Sequence, residues 1–120
     1  MKSVLIVEDD KWLAENYERL IGGAGYKTIV ALNAIDAIAF IDDNMPDVIV
    51  LDVLLTGSTA FALLNELQSY SDTGIIPVIL CTSLASELSL DDVSHYGVKL
   101  IIDKVDMSPN DLIEAIQEVS

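Results

Sequence analysis

Five short apolar segments recur along the chain, separated by longer segments in which apolar residues recur at helical spacing. Three of the five are continuous and rich in β-branched residues, which is typical of strands buried on both faces of a parallel sheet. The pattern therefore predicts five strands that alternate with five helices. The predicted strands are VLIV (4–7), KTIVAL (27–32), VIVL (48–51), IPVILC (76–81) and KLII (99–102).

The helical segments have recognisable beginnings and ends. Asn33 is expected to cap the second helix and Ser108 the fifth, where Pro109 occupies the first turn. The third helix is predicted from about Ser58 to Tyr70, and the fourth from about Leu84 to Tyr96. The first helix is predicted to end at a run of glycines and to pack through one face, which carries Trp12, Leu13, Tyr17, Leu20 and Ile21.

Alternating strands and helices of this kind fold as an α/β, doubly wound parallel sheet with right-handed crossovers. For five strands we expect the flavodoxin-like (βα)5 arrangement, order 2-1-3-4-5, with residues 1–120 forming a single domain. In that arrangement the ligand site lies outside the carboxyl ends of strands 1 and 3. The residues at those ends are therefore the first candidates for chemistry.

Composition argues against several classes of function. Acidic residues outnumber lysine and arginine by 20 to 6, and the net charge of −14 would repel a nucleic-acid backbone. No apolar run approaches the roughly 18 residues that cross a membrane, and the amino-terminal apolar stretch is too short for a signal peptide. Cys81 is the single cysteine, so no intramolecular disulfide can form. We expect a cytoplasmic protein with no direct contact to nucleic acid or membrane.

Polar residues follow four of the predicted strands. Strand 1 ends in Glu8, Asp9 and Asp10, strand 3 in Asp52, strand 4 in Thr82 and Ser83, and strand 5 in Asp103 and Lys104. Because strands 1 and 3 are neighbours, Glu8 or Asp9 should lie close to Asp52. Like charges about 4 Å apart repel by about 4 kcal/mol at an effective dielectric of 20. A divalent cation would remove this conflict, and oxygen ligands favour Mg²⁺ or a similar hard ion. Asp10 is expected to cap the first helix instead.

Lys104 adds an ammonium group and Thr82 a hydroxyl on the same edge of the sheet. A cation, an ammonium and a hydroxyl around one carboxylate are suited to phosphoryl transfer, in which catalysis is mainly positioning and charge neutralisation. Asp52 would then be the nucleophile that forms an aspartyl phosphate. Each residue alone has a simpler explanation, since Thr82 or Ser83 could cap the fourth helix and Lys104 could be solvated. Their joint occurrence at the strand ends favours a phosphate site.

The segments VLIVEDD, VIVLD, PVILCTS and IIDK resemble four motifs of the receiver domains of two-component response regulators (CheY-like), and the resemblance covers the whole chain. Thr82 follows Asp52 by 30 residues and Lys104 follows Thr82 by 22, which is spacing typical of that family. The resemblance implies an acidic pair at Glu8 and Asp9 and a phosphoacceptor at Asp52. It also implies a hydroxyl residue at Thr82 and a phosphate-binding lysine at Lys104.

The resemblance further implies that a sensor histidine kinase or a histidine phosphotransfer protein donates a phosphoryl group to Asp52. Mg²⁺ (or Mn²⁺) would be held by Glu8, Asp9, Asp52 and the backbone carbonyl of Leu54. Such a domain promotes only its own phosphorylation and dephosphorylation and is not otherwise an enzyme. The output would be a shift between two conformations that changes contacts with a downstream effector protein or domain, or within a homodimer through helix 4, strand 5 and helix 5.

The chain departs from the family pattern around the switch. Thr56 and Ala60 stand where a proline and a glycine usually follow the phosphoacceptor, and Ile101 stands at the usual aromatic switch position. Val105 replaces the proline that usually follows the lysine, and we expect a trans peptide bond there because a cis bond without proline costs about 3 kcal/mol. Acceptance of phosphate is expected to be intact and the readout altered.

Two leucines bear on the lifetime of the phosphorylated state. In the family, the residues two positions after the phosphoacceptor and two after the hydroxyl residue tune hydrolysis, and here both are leucine, Leu54 and Leu84. Because leucine cannot orient an attacking water, we expect a comparatively long-lived phosphoaspartate.

Two other functions compete with this interpretation. A haloacid-dehalogenase-type phosphatase also uses an aspartate nucleophile, but it needs a second aspartate two residues later, where this chain has Leu54. A degenerate receiver that binds a partner without phosphate is the other alternative. The complete set of site residues argues against it, and the altered readout positions are in its favour.

Overall fold

The structure is a computed structural model that describes residues 2–55 and 58–120. Its strands are β1 (Ser3–Val7), β2 (Lys27–Ala31), β3 (Val48–Leu51), β4 (Leu54–Leu55), β5 (Ser58–Thr59), β6 (Val78–Thr82) and β7 (Val98–Asp103). Five of them form one parallel sheet in the order β2-β1-β3-β6-β7, and β4 and β5 form a separate antiparallel pair. The predicted doubly wound order 2-1-3-4-5 is confirmed.

The described residues contain five α-helices, as predicted, of which four connect strands of the sheet and the fifth follows β7. They are α1 (Lys11–Gly23), α2 (Ala34–Asp43), α3 (Ala60–Gln68), α4 (Leu90–Val93) and α5 (Pro109–Val119). Helices α1 and α5 pack on one face of the sheet, and α2, α3 and α4 pack on the other. Within the described residues, no helix is long and apolar enough to cross a membrane.

The central strands have little polar character because both of their faces are covered. In β1, Leu5 packs toward α2 and α3, whereas Ile6 packs toward α1 and α5. In β3, Leu51 likewise packs toward α2 and α3, and Val50 packs toward α1 and α5. This two-sided burial fixes the position of each strand, and it thereby fixes the position of the residue that follows each strand.

The predicted helix caps are confirmed. The Asn33 side chain accepts a hydrogen bond from the backbone N–H of Asp36 at 2.8 Å. At the start of α5, Pro109 occupies the first turn, and the backbone N–H of Ser108 donates to the Asp111 carboxylate at 2.9 Å. These contacts satisfy backbone groups that have no partner inside the helix.

Three predictions about the helices need correction. The third helix begins at Ala60 rather than Ser58, because Ser58 and Thr59 pair as a strand with Leu54–Leu55. In the first helix, Trp12 is 72% exposed and does not lie on the buried face, which carries Ala14, Tyr17 and Ile21. The prediction for Thr56 falls outside the described residues.

The third correction concerns the fourth helix, which is not continuous from Leu84 to Tyr96. A 3₁₀ turn at Ala85–Glu87, the four-residue α4 and a second 3₁₀ turn at Ser94–Tyr96 replace it. Leu88 and Ser89 adopt extended backbone angles and interrupt the helix. Serine and aspartate compete for backbone hydrogen bonds, and this composition weakens a helix that apolar spacing alone would allow.

Replacing Asn33 by alanine should destabilise the protein by about 1 kcal/mol, because α2 loses the side-chain acceptor at its amino terminus. Asn33→Ser keeps an acceptor without placing a second carboxylate beside that of Asp36, and it should remain near wild type. Urea unfolding followed by circular dichroism measures both variants. Equal destabilisation by alanine and serine would contradict the capping role.

Candidate functional site

The carboxylates predicted at the ends of strands 1 and 3 do meet. Val7 and Leu51 are paired in the register of β1 and β3, so Glu8 and Asp52 leave the sheet side by side. The backbone N–H of Asp52 donates to the Val7 carbonyl at 3.2 Å, which extends the pairing to the site itself. Carboxylate oxygens of Glu8, Asp9 and Asp52 lie within 4.8 Å of one another.

Lys104 joins this group from the end of β7. Its Nζ donates to Oε1 of Glu8 at 2.6 Å and to Oδ2 of Asp52 at 2.9 Å. The backbone N–H of Lys104 donates to the Thr82 carbonyl at 3.0 Å, which ties the start of the loop to β6. One ammonium group therefore bridges residues that lie 96 and 52 positions earlier in the chain.

Burial sets the protonation behaviour of Glu8, which is only 2% exposed. Burial raises the pKa of its carboxyl, and this effect outweighs the lowering by hydrogen bonds from Lys104 and from the Asp10 backbone N–H at 3.2 Å. For Lys104, burial alone would lower the pKa, but the hydrogen bonds to Glu8 and Asp52 leave it raised. Lys104 therefore stays an ammonium at neutral pH.

Thr82 and Asp10 serve the local structure. Thr82 is fully buried at the end of β6, and its hydroxyl accepts a hydrogen bond from the backbone N–H of Leu84 at 3.2 Å. This contact is a local turn and not the helix cap considered for Thr82 or Ser83, because the following 3₁₀ turn has Leu84 as its cap residue and α4 has Ser89, each without a side-chain cap hydrogen bond. The Asp10 side chain accepts from the Leu13 backbone N–H at 3.2 Å, which confirms that Asp10 caps α1.

The residues at this edge fit a divalent cation. Carboxylate oxygens of three residues lie together, and the Lys104 ammonium bonds to two of these residues, Glu8 and Asp52. An all-oxygen set of this kind suits Mg²⁺, which is bound through one or two carboxylates together with water or phosphate oxygens. The fourth predicted ligand, the Leu54 carbonyl, belongs to β4 two residues after Asp52 and stays a prediction.

Two features of the site were missed or only partly anticipated by sequence reasoning. Asp103 was placed at a strand end but given no role, and its Oδ1 accepts a hydrogen bond from the backbone N–H of Val105 at 2.9 Å. An aspartate that bonds the N–H two residues later is a common turn, so the signal was present. Behind the site, the Tyr17 hydroxyl lies 3.4 Å from the buried Cys81 sulfur.

No cis peptide bond occurs in the described residues, so the expected trans bond between Lys104 and Val105 is confirmed.

Fold and site together define a class: a flavodoxin-like α/β domain with an acidic cluster and a lysine at the carboxyl edge of its sheet. The model of the response regulator receiver domain family matches residues 4–117. The chain therefore belongs to the receiver domain family of two-component signalling response regulators.

Curated relatives agree with this membership. The chain is 35% identical over 97 residues to the transcriptional regulatory protein YvrH of Bacillus subtilis, covering 80% of this chain and 39% of YvrH. It is 29% identical over 103 residues to the polar-differentiation response regulator DivK of Brucella anthropi, covering 86% of this chain and 84% of DivK. The chain thus spans about two fifths of YvrH and most of DivK.

Solved structures agree on the fold. The chemotaxis protein CheY4 of Vibrio cholerae superposes with a TM-score of 0.88 at 24% identity, covering 100% of this chain and 99% of that chain. The response regulator TrrA of Thermotoga maritima, solved in complex with Mg²⁺-BeF, gives a TM-score of 0.86 at 20% identity and covers 100% of both chains.

The affinity for Mg²⁺ should fall as the pH is lowered, beginning above the ordinary glutamate pKa of 4.5. Burial raises the pKa of Glu8 above that value. Because a protonated carboxyl cannot serve as a metal ligand, protons compete with Mg²⁺ for Glu8 as the pH falls toward its raised pKa. Calorimetric titration of Mg²⁺ between about pH 7 and about pH 5 measures this dependence. Glu8→Gln should bind more weakly and with a flatter pH profile. An unchanged wild-type affinity over that range would contradict the prediction.

Proposed function

We propose that this receiver domain accepts a phosphoryl group on Asp52 and thereby switches its contacts with partner proteins. The observation that carries this proposal is the bridge from Lys104 to both Glu8 and Asp52 inside the three-carboxylate cluster. An ammonium held against two carboxylates places a counter-charge beside the acceptor group, where negative charge develops as the phosphoryl group arrives.

Exposure separates the roles of the carboxylates. The Glu8 side chain is 3% exposed, and its two oxygens accept from Lys104 Nζ and from the Asp10 N–H. The Asp52 side chain is 12% exposed and lies at the end of the central strand β3. Asp52 is the more accessible partner of Lys104, and the phosphoryl donor reaches it more easily than it reaches Glu8.

In the proposed reaction an oxygen of Asp52 attacks the phosphorus of a phosphohistidine. The P–N bond breaks, a P–O bond to the carboxylate forms, and the imidazole of the donor leaves with the electron pair. Lys104 neutralises charge on the acceptor side and then on the new phosphate. Bound through Glu8, Asp9, Asp52 and the Leu54 carbonyl, Mg²⁺ would supply further neutralisation of the phosphoryl oxygens.

The proposed donor is a sensor histidine kinase or a histidine phosphotransfer protein, and the proposed recipient of the signal is an effector protein or domain. We place the domain over residues 1–120 and in the cytoplasm, as the sequence predicts. The residue at the usual aromatic switch position is Ile101. The coupling between the hydroxyl residue, here Thr82, and rotation of an aromatic ring therefore cannot operate in its usual form. Ile101 instead packs partly buried against the core on the α2 and α3 side. We propose that phosphorylation changes partner contacts through the loop at Val105 and Asp106 or through a homodimer on the α4, β7 and α5 face.

Incubation with acetyl phosphate and Mg²⁺ should add one phosphoryl group to the wild-type protein. Asp52→Asn should add none, because the nucleophilic carboxylate oxygen is replaced by an amide. Asp91→Asn, a change at an exposed aspartate of α4, is the matched control and should behave as wild type. Intact-mass analysis measures all three. No gain in the wild type would favour the phosphate-independent binding module, and repeated turnover of a phosphoester would favour the phosphatase.

The phosphorylated protein should lose its phosphoryl group slowly, because leucines at positions 54 and 84 cannot orient a water molecule. Leu84→Asn introduces a group that can, and it should shorten the half-life several-fold. Leu84→Met is the control, since it keeps an apolar side chain at this partly buried position. The half-life follows from intact-mass spectra after removal of the donor. Rapid loss from the wild type would contradict the prediction.

A further inference from the structure

The loop that carries Lys104 has one weakly anchored point. At its far end the loop is fixed, because Met107 packs against the α1 and α5 side of the core and Ser108 is the cap residue of α5. At its near end the Lys104 N–H bonds to the Thr82 carbonyl. Between them, the side chain of Val105 is 76% exposed, so its burial cannot hold the loop in place.

Asp103 supplies the missing anchor. It is the last residue of β7, it is paired in register with Thr82, and its Oδ1 accepts from the Val105 N–H at 2.9 Å. The bond closes a turn around Lys104, whose two flanking residues are then joined by a side-chain to backbone contact. A proline at position 105 could not donate this hydrogen bond, because proline has no N–H.

We propose that Asp103 is a positioning residue that acts through Lys104. With the Lys104 N–H bonded to β6 and the next N–H bonded to Asp103, the backbone of Lys104 is fixed on both sides. Only its side-chain torsions then remain to place Nζ between Glu8 and Asp52, at 2.6 and 2.9 Å. The Lys104–Val105 peptide bond is trans. The hydrogen bond from the Val105 N–H to Asp103 restricts the backbone of this loop, as a proline at position 105 would.

Chemical labelling of lysines tests this positioning directly. Asp103→Ala in the full chain should raise the rate at which acetic anhydride labels Lys104 by about threefold, the scale of one lost turn hydrogen bond. Lys11 and Lys27, both exposed, serve as internal references and should not change. Asp103→Asn keeps the Oδ1 acceptor and should restore the wild-type rate, whereas Asp106→Ala, which removes a neighbouring exposed carboxylate, should have no effect.

The second arm of the experiment removes the Val105 N–H, which donates to Asp103. In a Val105→Pro background, Asp103→Ala should cause no further change in Lys104 labelling, because the N–H that Asp103 binds is absent. Circular dichroism and thermal unfolding establish that each variant is folded. Unchanged labelling in Asp103→Ala, failure of asparagine to restore the rate, or an equal effect of Asp103→Ala in the proline background would each overturn the proposal.

The kinetic readout rests on the proposed function. Asp103→Ala should slow phosphorylation by acetyl phosphate by about the same factor of three, and Asp103→Asn should recover it. If the wild type accepts no phosphoryl group while Lys104 labelling follows the expected pattern, the proposed function fails and the positioning role stands. If the wild type is phosphorylated but Asp103→Ala leaves the rate of Lys104 labelling unchanged, the positioning role fails and the proposed function stands.

Discussion

The structure depends on a single ammonium group shared by two carboxylates at the edge of a parallel sheet. Glu8 is almost fully buried, and an unpaired ionised carboxylate in that position would be very costly. Lys104 makes the charge tolerable, and in doing so it connects β7 to the ends of β1 and β3. Asp52, the aspartate in the apolar segment around β3, is tolerated for the same reason. It lies where the strand ends, and Lys104 donates to it directly.

The same edge of the sheet gathers a third carboxylate, that of Asp9. Carboxylate oxygens of Glu8, Asp9 and Asp52 lie together, and this all-oxygen set suits a divalent cation, which in the proposed function would share the neutralisation of a phosphoryl group with Lys104. Since Lys104 already contacts Glu8 and Asp52, metal binding and lysine contacts draw on the same oxygens. In the proposed function the position of Lys104 would therefore influence both metal affinity and phosphate acceptance, and this connects the turn at Asp103 and Val105 to the chemistry.

Much of this could be predicted from the sequence because strand ends in a parallel sheet meet at one edge. Continuous apolar segments fixed the strands, and the residues following them identified Glu8, Asp9, Asp52 and Lys104 as neighbours. Local spacing predicted less well where competing interactions decide the outcome. The fourth helix is broken at Leu88 and Ser89, and Trp12 is exposed although its spacing suggested burial. The bond between Asp103 and Val105 depends on a loop path that apolar periodicity does not describe.

In the proposed function Asp52 is the residue that takes the phosphoryl group. Borohydride reduction of the phosphorylated protein converts an acyl phosphate of aspartate to homoserine, and peptide mass spectrometry locates the converted residue. Conversion is expected at residue 52 alone, and it should depend on both the phosphodonor and Mg²⁺. Conversion at Asp9 or at another aspartate, with residue 52 unchanged, would contradict it.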